Sequence, residues 1–107
     1  MAKVLLAEDD ATMVSLLQTL LKMEGYEVVA LDVDSDVAGA VQREKPHALF
    51  MDVHLGGQSG MKILQKIRKN RENADVRIIM TSGLNLKDEC IRGGADARVV
   101  VAQITAV

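Results

Sequence analysis

A chain of 107 residues fits one domain, and an apolar fraction of 49% is enough for a core, made aliphatic by one Tyr, one Phe and no Trp. A formal net charge of -2 gives no electrostatic case for nucleic acid or an anionic membrane as a partner. The lone Cys90 cannot form an internal disulfide, no Cys/His group has zinc spacing, and no apolar run is long enough for a signal peptide or a membrane span, so a cytoplasmic globular module spanning residues 1 to 107 is expected.

In chain order, Val4 to Ala7 is a short apolar run that ends in acids. From Ala11 to Glu24, Met13, Leu16, Leu17, Leu20 and Leu21 recur at helical spacing, and Gly25 is a plausible helix stop. Glu27 to Leu31 reads as a second strand. Ser35 is the expected cap of a helix whose inner face is Val37, Ala40 and Val41, with Pro46 marking its end. Leu49 to Met51 is a third strand, and Ser59 opens a helix with Met61, Leu64 and Ile67 inward. The basic finish of that helix, Lys66, Arg68 and Lys69, suits its dipole and reads as a solvated end. Arg77 to Met80 is a fourth strand, LKDECIRGG a short helix stopped by glycines, and Val99 to Val101 a fifth strand.

Strands that alternate with helices imply a parallel sheet covered on both faces, because each right-handed crossover lays its helix on one side. In open sheets of this class, ligands bind beyond the carboxyl ends of the strands. Strand one delivers Glu8, Asp9 and Asp10 there, strand three delivers Asp52, and strand four delivers Thr81 and Ser82. If strands one and three are neighbours, three carboxylates crowd one pocket and cannot all stay ionised without a cation. A hard divalent ion resolves this, and Mg²⁺ prefers a few carboxylates with waters and phosphate oxygens. A carboxylate held beside Mg²⁺ is a competent nucleophile towards a phosphoryl group, and a hydroxyl at Thr81 could then donate to a phosphate oxygen.

Taken in order and spacing, VLLAEDD, MDVHLGGQSG, IIMTSG and GADA resemble the receiver domain of two-component response regulators over about residues 3 to 97. The resemblance implies an open five-stranded parallel sheet in the order 2-1-3-4-5 with five helices, of flavodoxin-like type. It implies that Asp52 is the phosphoacceptor for a sensor histidine kinase or phosphotransfer protein, in a phosphorelay whose state passes to a downstream output domain or protein. Glu8 and Asp9 become the acidic pair that holds Mg²⁺ with Asp52, and the backbone carbonyl of His54 completes the ligands. Thr81 becomes the switch hydroxyl, Ser82 the small neighbour that leaves the site open, and Gly57 and Gly60 match the family's loop glycines.

The chain departs from the family after GAD. The family's aromatic switch position falls on Arg98, its Lys position on Val101 and its Pro position on Ala102. After Val101 only AQITAV remains, too short for the family's fifth helix, so that helix is expected to be missing, truncated or altered. The β-branched run RVVVAQITAV lies on an edge strand, which makes the C-terminal edge a place for pairing with a second copy.

Blander readings stand beside these. Asp10 suits a helix cap better than a metal ligand, the side chain of His54 is expected to face solvent, and His47 has no evident role. A receiver would not be classed as an enzyme with an external product. Two alternatives remain open: a pseudo-receiver binding module without phosphotransfer, favoured by the missing Lys, and an Mg²⁺-dependent aspartyl-phosphate phosphohydrolase. The second needs two Asp two residues apart after strand one, where this chain has Glu8 and Asp10.

Overall fold

The structure, a computed structural model, describes residues 2–32, 34–82 and 97–100, with Ser82 and residues 97–100 described by backbone alone. Among these residues, seven strands and three α-helices follow in the order β1 (Lys3–Ala7), α1 (Ala11–Met23), β2 (Glu27–Leu31), α2 (Val37–Glu44), β3 (Ala48–Asp52), β4 (His54–Leu55), β5 (Gln58–Ser59), α3 (Gly60–Lys69), a 3₁₀ turn (Arg71–Asn73), β6 (Arg77–Ser82) and β7 (Ala97–Val100). The five long strands form a sheet in the order β2-β1-β3-β6-β7, with every neighbouring pair parallel. This is the expected 2-1-3-4-5 succession. The labels shift by two because an antiparallel pair of two-residue strands, β4 and β5, interrupts the path from β3 to α3.

The two faces of the sheet carry separate cores. On one, Leu5, Ala7, Leu49, Met51, Ile78 and Met80 meet Val37, Ala40 and Val41 of α2 and Leu64 and Ile67 of α3. On the other, Val4 and Leu6 meet Met13 and Leu17 of α1, with Phe50 half-buried beside them. Burial of each large aliphatic side chain stabilises by about 1.5–3 kcal/mol before conformational entropy is counted. The alternation along β1, where Leu5 and Ala7 face one core and Val4 and Leu6 the other, is why its sequence is apolar throughout.

Several local expectations are corrected. In α1, Leu16 and Leu20 are 36% and 46% exposed, whereas Met13 and Leu17 are buried. The apolar stripe of this helix is wider than its contact with the flat sheet, and Leu16 and Leu20 lie on its flank. The cap of α2 is Asp36, which accepts a hydrogen bond from the Gly39 N–H at 3.1 Å, while the Ser35 N–H closes a turn on the Asp32 carbonyl at 3.0 Å. That helix ends at Glu44, before Pro46, because Lys45 takes the left-handed conformation (φ 48°) and its N–H donates to the Val41 carbonyl. Met61 is only partly buried, and the fourth long strand runs two residues further than expected, through Thr81 and Ser82. The fifth runs over Ala97–Val100 and lies at the sheet edge, as expected. The short helix LKDECIRGG with Cys90, the Val101 and Ala102 positions, and the expectation about a fifth helix all fall outside the described residues.

Candidate functional site

The strand order reverses between β1 and β3, so the carboxyl ends of these strands open onto one crevice. Register fixes the neighbours: Ala7 pairs with Met51, and Asp52 pairs with Thr81 of β6. Glu8 follows the last residue of β1, and the chain has only Asp9 and Asp10 before α1 begins. Asp10 is spent on the helix. Its Oδ1 accepts from the Thr12 N–H at 2.8 Å and the Met13 N–H at 3.2 Å, so it is a cap, as its position suggested.

The other three acids converge. Glu8, Asp9 and Asp52 each offer one carboxylate oxygen, and these oxygens lie within 4.8 Å of one another. Each carboxylate is also anchored by the backbone or a hydroxyl. Glu8 Oε1 accepts from the Asp10 N–H at 3.1 Å and Glu8 Oε2 from the Thr81 hydroxyl at 3.4 Å. Asp52 Oδ1 accepts from the His54 N–H at 3.0 Å, and Asp9 Oδ2 from the Gly56 N–H at 3.1 Å. The loop after β3 therefore grips two of the three acids. Among the described residues the ion pairs, Lys3–Glu44 and Arg43–Glu44, involve none of these acids.

Glu8 is 7% exposed, and its carboxyl group is pushed up from 4.5 to about 7. Burial is the main cause; the Asp10 N–H opposes it, and the charge of Asp52 and contacts with Asp52 and Asp9 add to it. A cluster that holds back one of its own ionisations for want of a counter-charge is suited to a cation. The donor set is all hard oxygen, the preference of Mg²⁺. Opposite oxygens of an octahedral Mg²⁺ lie about 4.2 Å apart, so a spread within 4.8 Å needs only small side-chain rotations.

Thr81 is buried, 2% exposed, beside Asp52. His54 is exposed, and it is its backbone N–H, not its imidazole, that donates to Asp52. Arg98 stands on β7 opposite Met80, and Ser82 opposite Val100. Glu8 and Asp9 also line a groove of about 630 Å³ between α1 and the end of β2, past Leu31, Asp32 and Asp34. A concavity of about 660 Å³ at the opposite end of the sheet mixes Lys45 and Arg77 with Glu72 and Asp75, so its charges oppose one another. The acidic crevice is the chemically distinctive one.

Two residues matter more than their sequence suggested. Gly60 was matched by resemblance alone, and the structure supplies its reason: a Cβ there would stand 2.3 Å from the Asp52 carbonyl oxygen and 2.9 Å from Val53 Cα. The Gly60 N–H donates to the Val53 carbonyl at 2.7 Å, closing the loop onto the end of β3. Gly57 has open space around its Cβ direction, whereas Gly56 takes φ 57°, the conformation that glycine adopts freely, and holds Asp9. The adjacent LGG signals a tight turn but not which glycine bends it.

The comparisons with known proteins agree with this fold. The family model of the response regulator receiver domain matches residues 4–100. A protein named as a transcriptional regulator, ycf27, from Guillardia theta is 34% identical over 101 residues, which are 92% of this chain and 39% of that one. The phosphate regulon transcriptional regulatory protein PhoB of Pseudomonas aeruginosa is 26% identical over 97% of this chain and 50% of its own. The chain thus spans half or less of the curated relatives it matches. The solved receiver domain of the sensor histidine kinase PA1611 of Pseudomonas aeruginosa, with a magnesium ion coordinated in its active site cleft, superposes with a TM-score of 0.79 at 22% identity, covering 98% of this chain and 92% of that one.

Proposed function

The chain belongs to the response regulator receiver family, and on that premise we propose that it takes a phosphoryl group onto Asp52 from a sensor histidine kinase or phosphotransfer protein. The observation that carries this is the convergence of Glu8, Asp9 and Asp52 within 4.8 Å at the switch point of the sheet. In the transfer, the free oxygen of Asp52 attacks phosphorus, a P–O bond forms, and the P–N bond of the donor phosphohistidine breaks with its electron pair returning to the imidazole. Glu8, Asp9, Asp52 and the backbone carbonyl of His54 would hold Mg²⁺. When bound, that ion supplies the positive charge that offsets repulsion between Asp52 and the incoming phosphate. The His54 N–H, 3.0 Å from Asp52 Oδ1, leaves the other oxygen of Asp52 for the nucleophilic role.

Thr81 is read as the switch hydroxyl that donates to the new phosphoryl oxygens, and Ser82 as its small neighbour. Residues 1–107 are read as one receiver unit in the cytoplasm, signalling by altered contacts with an output domain or protein and releasing no external product. The C-terminal edge at β7 is read as a pairing surface for a second copy. A pseudo-receiver that binds partners without phosphotransfer is the second reading, favoured by Val101 at the family's Lys position.

Incubation with Mg²⁺ and acetyl phosphate followed by intact mass measurement separates the two. A single phosphoryl adduct that requires Mg²⁺ and is lost in Asp52→Asn is expected. No adduct, or one that survives Asp52→Asn, contradicts the reading.

A further inference from the structure

The hydroxyl of Thr81 does not point into empty space before anything binds. It is 2% exposed, and Glu8 Oε2 accepts its hydrogen bond at 3.4 Å. The other oxygen of the same carboxylate accepts from the Asp10 N–H at 3.1 Å. Both oxygens of Glu8 are therefore engaged by donors of the chain itself. A hydroxyl proton and a cation are both positive and compete for the electron density of Glu8 Oε2. Asp52, meanwhile, is the direct strand partner of Thr81, so a hydroxyl released by Glu8 has a second acceptor site beside it.

Resting on the metal-dependent reading above, we propose that the Thr81–Glu8 hydrogen bond is a latch: it holds the switch hydroxyl away from Asp52 until a divalent cation occupies Glu8. Loading the metal frees Thr81 to donate to a group on Asp52. By linkage, a group on Asp52 that captures the hydroxyl strengthens metal binding by the same factor. The identity of residue 8 matters, since an Asp there is one methylene shorter and reaches less far towards Thr81. The 3.4 Å separation lies beyond the usual O–H···O range, so the latch is weak enough for a cation to open. Thr81 acts on the metal through Glu8 and is a positioning residue in this step.

The test measures Mg²⁺ affinity by calorimetry for the parent protein, Thr81→Val and Thr81→Ser, buffered well on the alkaline side of the Glu8 value. Thr81→Val, which cannot donate, should bind Mg²⁺ about 2- to 3-fold more tightly, the low end of one net hydrogen bond, and Thr81→Ser should stay near the parent. A merely structural role for Thr81 would weaken binding in Thr81→Val. On the unaltered protein, the ¹³C shift of the Thr81 methyl should move as Mg²⁺ saturates the site, reporting the change of rotamer, which keeps the test available if a variant does not fold. Unchanged or weaker affinity in Thr81→Val, or a methyl signal that ignores Mg²⁺, overturns the latch while the metal site stands. A parent protein that binds no Mg²⁺ at millimolar concentration overturns the latch and the metal reading together.

Discussion

Among the described residues, Glu8 is the one whose chemistry is most altered by folding, and it gives the metal-free protein an unusual dependence on pH. Its carboxyl group titrates near 7 in the fold against 4.5 ordinarily, because burial and then the neighbouring acids disfavour its charge. Between those values the folded chain binds more protons than the unfolded one, so this group's stabilising effect is fully present below pH 4.5 and is lost as pH rises through about 7. Thermal melts in chelator should therefore fall from mildly acidic to mildly alkaline buffer, and Mg²⁺ should remove the fall; a flat profile would argue against a crowded pocket. Asp52→Asn removes one contributor to the upward push, so it should raise the metal-free melting temperature in neutral buffer; a decrease would say that Asp52 is not repelled by its neighbours. Much of this residue-level chemistry was legible in the sequence, because AEDD and MDV each place acids just after an apolar run. The backbone grips on Asp9 and Asp52 were not, since any residue supplies an N–H and only the fold says which one points where.

At the scale of elements, the connection from β3 to α3 is, among the described residues, the part under the tightest steric constraint. Gly60 abuts the Asp52 carbonyl and the Val53 backbone, with no flexible side chain there to yield. Gly60→Ala should cost about 1–3 kcal/mol in urea unfolding and also weaken Mg²⁺ binding by shifting Asp52, whereas Gly57→Ala should leave the metal site unchanged. Equal stability for Gly60→Ala and the parent would show that the loop can move away. The helix α1 gives a contrast between neighbours on its apolar stripe. Leu17→Ala should cost about 2–4 kcal/mol, and Leu20→Ala, at 46% exposure, under about 1 kcal/mol in the same unfolding measurement. The periodicity of α1 announced a helix but overstated its buried face, because spacing gives the direction of a stripe and not the width of the surface it meets. A similar ambiguity explains the cap of α2: Ser35 and Asp36 are both good caps, and the turn back to Asp32 decided between them.

On the scale of the whole molecule, the alternation of apolar runs with amphipathic stretches was sufficient for a parallel sheet with helices on both faces. The strand order came from the family resemblance, since parallel alternation alone permits several orders. The short β4–β5 pair went unread, because two-residue strands carry no periodicity. What the topology adds is convergence: segments more than forty residues apart in sequence bring Glu8, Asp9 and Asp52 to one crevice, with Thr81 paired to Asp52 and hydrogen-bonded to Glu8. The account rests on that convergence serving a single cation while one oxygen of Asp52 stays available. It is tested most directly by a crystal structure of the protein soaked with Mn²⁺, collected for anomalous scattering. One anomalous peak, coordinated by oxygens of Glu8, Asp9 and Asp52 with the second Asp52 oxygen unligated, is the predicted result. A peak elsewhere, or one that engages both oxygens of Asp52, would contradict it.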